Sequence, residues 1–219
     1  MVQTKDIIQA ILIYSIVLPL EMCEKIAFFM YTYKFKNRNQ LKNAINNYPN
    51  NIGTYGNISY WDVSSITDMT KMFFKTNFNG NISMWDVSNV INMDDMFGFS
   101  IFNGDISKWN VSKVITMMDM FRNSNFNGNL SNWDVGRVVY MDAMFNGSNF
   151  NGNISNWNVT SVSVMYYMFS CSNFNGDISK WNVSRVQNMD YMFYFSKFNR
   201  DISNWDVRNV VTNKGMFMS

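Results

Sequence analysis

The sequence predicts an α/β repeat fold: a right-handed solenoid of seven 24-residue coils, each with one strand and one short helical turn, closed at its N-terminal end by an α-helical cap. The interval between tryptophans is the first reason. Trp61, Trp85, Trp109, Trp133, Trp157, Trp181 and Trp205 stand 24 residues apart without insertion or deletion, and a fixed period of this length marks stacked structural units. The second reason is the number of columns that repeat with them. Counting Trp as zero, position −3 is Ile or Leu, +2 is Val from Val63 to Val207, +5 is Ile66 or Val, +11 is Met from Met72 to Met216 and +12 is Phe from Phe73 to Phe217. One coil cannot bury such a face alone, whereas stacked copies bury it against one another.

Within a coil, Trp at zero and Val at +2 alternate as a strand does. Positions +5, +8, +11 and +12 carry the spacing of a short helix or 3₁₀ stretch. Position +8 is Met in six copies, and six copies add Phe at +17, from Phe78 to Phe198. The corner after the helical turn reads Asn79-Gly80, Asn103-Gly104, Asn127-Gly128, Asn151-Gly152 and Asn175-Gly176, a pair whose tolerance of positive φ suits a tight bend. Asn199-Arg200 departs from it, so a different or strained turn is expected there.

Composition limits the chemistry. The chain has 219 residues, 47% apolar and 16% charged, with a formal charge of +2, enough for a sizeable core and incompatible with intrinsic disorder. It has no histidine, which removes an imidazole base, shuttle or metal ligand. Cys23 and Cys171 are too few for a disulfide framework, and both are expected as buried thiols. Residues 57–219 carry twelve Lys and Arg against thirteen Asp, so no long basic surface awaits a nucleic acid. The most apolar stretch, Ile7 to Leu20, covers fourteen residues, short of the roughly 20 that span a bilayer. No transmembrane segment, cofactor or metal is therefore expected.

The motif F-N-G-[DN]-I-S-x-W-[DN]-V-S-x-V-x-x-M-x-x-M-F resembles the repeat of BspA-like proteins, the DUF285 or Mycoplasma lipoprotein repeat, within the leucine-rich-repeat group. The resemblance covers about residues 57–219. It implies a leucine-rich-repeat-like architecture and a binding or adhesin role, with Val standing where that group has its ladder asparagine. Residues 1–56 are read as the helical cap, with two or three helices across 5–18 and 20–47 and Pro19 between them as a helix opener. Their stretch 18–29, from Leu18-Pro19-Leu20-Glu21-Met22-Cys23, also resembles an F-box, which implies a ubiquitin-ligase adaptor as partner. Glu21-Met22 stand where a lipobox needs small residues before Cys23. With no convincing signal peptide either, an intracellular or virion-associated location is favoured over secretion.

Two candidate binding surfaces follow. On a strand face, position +1 is acidic or amide throughout: Asp62, Asp86, Asn110, Asp134, Asn158, Asn182 and Asp206. Lys113, Arg137 and Arg185 at +4 are expected to offset that column's charge. The second surface is aromatic: Tyr167 and Tyr191 share column +10, with Tyr166, Tyr194 and Phe195 beside them, and Phe74, Phe99 and Ile101 form an earlier group. Clustered exposed aromatics anchor interfaces. Ser at −2 in every coil, Ser59 to Ser203, is no unique nucleophile. These features read as a non-enzymatic module for a protein or glycan ligand, with an F-box-type adaptor or a structural component of a virion or cell surface as alternatives.

Overall fold

The computed structural model describes residues 32–218. The helix expected over 5–18, Pro19, the F-box-like stretch and Cys23 lie outside the described residues. The 24-residue register holds: parallel bridges join Asp68 to Asn92, Asn92 to Thr116, Thr116 to Tyr140, Tyr140 to Val164, Val164 to Asn188 and Asn188 to Thr212. Each is an isolated bridge at +7.

The coil itself differs from the expected one. Among the described residues no sheet forms, and the three helical elements all precede Trp61, so the leucine-rich-repeat-like coil of one strand plus one helical turn is corrected to a coil of successive turns. Trp85 N–H donates to Ile82 O at 3.1 Å and Val90 N–H to Val87 O at 2.9 Å. The residues around Trp and Val, inward-facing as they are, therefore bend where a strand would run straight. The Met-x-x-Met-Phe segment is not helical either. Its N–H groups alternate: Met93, Asp95, Phe97 and Phe99 donate to Thr116, Met118, Met120 and Arg122 of the next coil, whereas Met96, Gly98 and Ser100 donate three residues back. Helix closure is blocked because columns +10 and +14 take positive φ, as at Lys71 (57°), Lys75 (55°), Asp95 (54°) and Phe99 (55°). Two left-handed residues four positions apart in each coil break the i to i−4 chain and turn alternate amides toward the neighbour.

Asparagine and aspartate set the remaining bends. At −4, Asn81 Oδ1 accepts from Ser83 N–H at 2.9 Å, and Asp105, Asn129, Asn153, Asp177 and Asp201 do the same for the serine two residues on. These are Asx turns, in which a short polar side chain replaces a backbone acceptor.

The corner is held by an asparagine ladder. Asn103, Asn127, Asn151 and Asn175 N–H each donate to the Oδ1 of the asparagine one coil earlier at 2.8 Å, and Asn199 N–H continues it at 3.1 Å. The following glycines do not use positive φ. They are required by contact: a Cβ on Gly128 would lie 2.7 Å from Cζ of Phe126, whose ring folds back over the turn. Arg200 keeps the ladder bond through Asn199, and its Nε donates to Asn175 O at 3.0 Å, so the different turn expected there does not form.

Inside, the seven tryptophans are buried and each indole N–H donates to a carbonyl nearer the N-terminus. Trp85 bonds Ile58 O at 2.8 Å and Trp157 bonds Leu130 O at 2.9 Å. The +12 phenylalanines stack in file, Phe97 on Phe121 at 5.7 Å and Phe145 on Phe169 at 5.6 Å. The +17 file leans on them, with Phe97 to Phe102 at 4.3 Å. The core is thus a set of continuous aromatic and methionine columns.

Residues 33–56 lie on the first coil. Asp62 N–H donates to Tyr33 O and Phe35 N–H to Asp62 O, both at 3.0 Å. Helix α1, Arg38–Asn47, starts at Asn37, whose side chain accepts from Gln40 N–H, and buries Leu41, Ala44 and Ile45. Helix α2 is Ile52–Tyr55. Fully buried Phe35 packs 4.8 Å from the Trp61 ring, and Lys42 Nζ donates to the Lys71 and Met72 carbonyls at 2.7 and 2.9 Å.

Candidate functional site

Position +1 faces outward on a run of turns, and its side chains serve those turns. Asp62 accepts from Ser64 N–H at 2.9 Å, Asp86 from Ser88 at 3.0 Å, Asn110 from Ser112 at 3.1 Å and Asp134 from Gly136 at 3.0 Å. Asn158, Asn182 and Asp206 accept from Thr160, Ser184 and Arg208 at 3.2, 3.1 and 3.3 Å. With no sheet beneath it, this column is a second row of Asx turns, and the strand face expected here is absent. Lys113 does not offset the column, since its Nζ donates to Asn89 Oδ1 at 2.7 Å. Among the described residues the column's ion pairs are Lys34–Asp62 at 3.6 Å and Arg208–Asp206 at 2.8 Å. The Arg208 side chain and N–H pull the Asp206 carboxyl down to about 2. At Asp62 partial burial pushes the carboxyl up, but the Ser64 hydroxyl and N–H, with Lys34, bring it below the ordinary value. A hollow of about 340 Å³ beside it is lined by Tyr60, Trp61, Asp62, Ser64, Met84 and Asp86.

The predicted aromatic residues do come together. Tyr167 stacks on Tyr191 at 4.8 Å, Tyr166 meets Tyr167 edge-on at 4.3 Å, Tyr191 meets Tyr194 at 5.5 Å and Tyr194 meets Phe195 at 4.5 Å. Tyr166 and Phe195 remain 38% and 58% exposed. The left-handed columns create this arrangement: residues +10 and +14 of each coil turn their side chains off the buried face. Cys171 at +14 (φ 54°) is consequently an exposed free thiol, correcting the expectation that it is buried.

The earlier aromatic group has a feature the sequence reading missed. Phe74 and Phe99 meet edge-on at 5.7 Å, with Lys71 and Lys75 over Phe74 and Lys75 and Arg122 over Phe99 at 5.2–5.5 Å. Ile101 is exposed nearby in sequence. The signal was present in the spacing, since Lys71, Lys75, Phe99 and Arg122 occupy columns +10, +14, +14 and +13.

Between the two aromatic groups column +9/+10 is acidic: Asp94, Asp95, Asp119 and Asp142. Burial pushes the Asp119 carboxyl up, Arg122 opposes this, and Asp95 adds to it. Burial also raises Asp142, with its own backbone N–H opposing and Asp119 and Asp94 contributing. Among the described residues no three Cys or Asp side chains converge as metal ligands, and no helix is long and apolar enough to cross a membrane.

A repeated turn-built coil with exposed, non-repeating aromatics can offer contact area and hydrogen-bonding groups to another molecule. No curated protein and no solved structure matches the chain. The family model described as "Mycoplasma protein of unknown function, DUF285" matches residues 35–148 and 122–219, two overlapping regions that take in α1, α2 and every tryptophan coil. By that match the chain belongs to the DUF285, BspA-like family.

Proposed function

We propose that the chain is a non-enzymatic protein-interaction module whose contact surface is the aromatic group Tyr166, Tyr167, Tyr191, Tyr194 and Phe195. The observation that carries this reading is that the fold does not require aromatics there. In earlier coils column +10 holds Lys71, Asp95, Asp119 and Ala143, and column +14 holds Lys75, Phe99, Asn123 and Gly147, with the same backbone conformation throughout. Aromatic area placed on two neighbouring coils beyond structural need is what an interface anchor looks like. The +1 column supports a contact role less well, because every member is engaged by its own turn. Absence of histidine and recurrence of the same polar residues in every coil support the non-enzymatic reading.

Panning a displayed peptide library on the folded chain tests this, with counter-selection on a Tyr166→Ala, Tyr191→Ala, Phe195→Ala variant. Enriched peptides are expected to lose binding to the variant. Peptides that bind both proteins equally would place the contact surface elsewhere.

A further inference from the structure

We propose that the occupant of the aromatic surface is a cationic peptide segment, with an Arg or Lys side chain seated between the Asp142 carboxylate and the Tyr166–Tyr167 rings. This rests on the interaction-module reading above. Three aspartates occupy column +9, and two of them are consumed by the fold. Asp94 Oδ1 takes the Thr116 hydroxyl at 2.5 Å and Met118 N–H at 2.9 Å, and Asp190 Oδ1 takes the Thr212 hydroxyl at 2.5 Å and Lys214 N–H at 2.6 Å. In each case the next coil supplies a threonine at +7. Asp142 faces Val164 at that position, so no hydroxyl is available. Among the described residues Asp142 makes no ion pair, unlike Asp95 with Lys71 at 3.5 Å and Asp119 with Arg122 at 3.2 Å. Its half-buried carboxylate stands at +9 one coil before Tyr166: Ala143 N–H donates to Tyr166 O at 2.7 Å, and Tyr167 N–H in turn donates to Asp190 O of the coil after at 3.0 Å. Along columns +9 and +10 successive coils thus carry Asp142, then Tyr166 and Tyr167, then Asp190 and Tyr191.

A negative group adjoining exposed ring faces is complementary to a guanidinium or ammonium, through a charge-assisted hydrogen bond on one side and cation–π contact on the other. The chain already makes the second kind of contact with its own Lys75 and Arg122 on Phe99. Since its net charge is +2, a basic peptide gains nothing from the overall field, and recognition must be local.

The test is fluorescence anisotropy of a labelled dodecapeptide of alternating Arg and Gly, against a copy with neutral citrulline at each Arg. Binding is expected to weaken at least tenfold with citrulline and at least fivefold in Asp142→Asn and in Tyr166→Ala. It should be unchanged in Asp134→Asn, which removes the same charge from the same coil on the +1 column. Equal losses in Asp134→Asn and Asp142→Asn would overturn the proposal as nonspecific charge attraction. Binding that needs Tyr166 but is indifferent to citrulline or to Asp142 overturns the cationic occupant while leaving the aromatic surface standing. Indifference to Tyr166 as well overturns both.

Discussion

The indole N–H of Trp133 donates to the carbonyl of Ile106, 27 residues earlier, at 3.1 Å, and the same bond recurs at the same offset from Trp85 to Trp205. Each of these tryptophans therefore fills the core and adds a second donor to a carbonyl of the preceding coil, which also accepts a backbone N–H, as Ile106 O does from Trp109 at 3.1 Å. Trp133→Ala is expected to cost about 3–5 kcal/mol through lost packing. Trp133→Phe should cost less, about 1–2 kcal/mol, through the smaller ring and the loss of one of two donors to the Ile106 carbonyl, which keeps the Trp109 N–H at 3.1 Å. Trp205→Ala should cost less than Trp133→Ala, because the last coil has one neighbour. Urea titrations of the three variants check the order, and equal losses at positions 133 and 205 would contradict it.

The asparagine corner gives a prediction in which charge and shape separate. Asn127 Oδ1 accepts from Asn151 N–H at 2.8 Å while its own N–H donates to Asn103 Oδ1. Asn127→Ala removes the acceptor and should cost about 0.5–1.5 kcal/mol. Asn127→Asp keeps an oxygen in place and should recover most of the loss. If both variants melt alike, the ladder contributes nothing measurable.

Left-handed columns predict substitutions of opposite sign within one coil. Ala143 sits at φ 49° and Gly147 at φ 64°, in a region where a Cβ costs about 1–2 kcal/mol. Ala143→Gly is expected to stabilise by up to about 1 kcal/mol, the relief being reduced by the greater freedom of glycine when unfolded. Gly147→Ala should destabilise, since its Cβ would also lie 2.1 Å from Asn123 Oδ1 and force that side chain away. Thermal unfolding of both variants settles the signs.

The stacking was legible because period and column identity both depend on burial, and burial is written in residue type. The inside of the coil was misread for a physical reason. Met69, Met72 and Phe73 have helical spacing, yet the conformation that breaks the helix sits at Lys71 and Lys75, ordinary residues that announce nothing. Gly147, Gly215, Asn123, Asp95 and Asp119 in those columns hint at positive φ, but the lysines, tyrosines, phenylalanines, Ala143 and Cys171 that share them do not. Asx turns did have a signal, the [DN]-x-S pattern at −4 and +1, but it was masked by the alternation of Trp and Val that suggests a strand. The position where the resembled group has its ladder asparagine holds Val, and this chain's asparagine ladder lies instead at the corner, where Asn-Gly reads more readily as a bend. The aromatic group was legible from its columns, whereas Asp142's lack of an ion pair and of a threonine partner shows only when Val164 is compared with Thr116 and Thr212 across coils.

Two aspartates should respond to pH in opposite ways. Burial raises the Asp142 carboxyl above its ordinary 3.8, so from 3.8 up to that raised value the folded chain holds more proton than the unfolded one. Stability then falls as pH rises through the window, and at pH 7 the wild-type chain carries a penalty that an amide lacks. Asp142→Asn is therefore expected to raise the melting midpoint at pH 7, with the gain shrinking to nothing as pH falls below 3.8. Asp206 is held down to about 2 by Arg208, so its contribution is fully present above 3.8 and disappears as pH falls through about 2. Asp206→Asn should lower the midpoint slightly at pH 7, and less so in high salt because the pair is exposed. Melting curves between pH 2 and 7 check both, and a destabilised Asp142→Asn at pH 7 would mean that its carboxylate is paired within the fold and unavailable to a cationic partner.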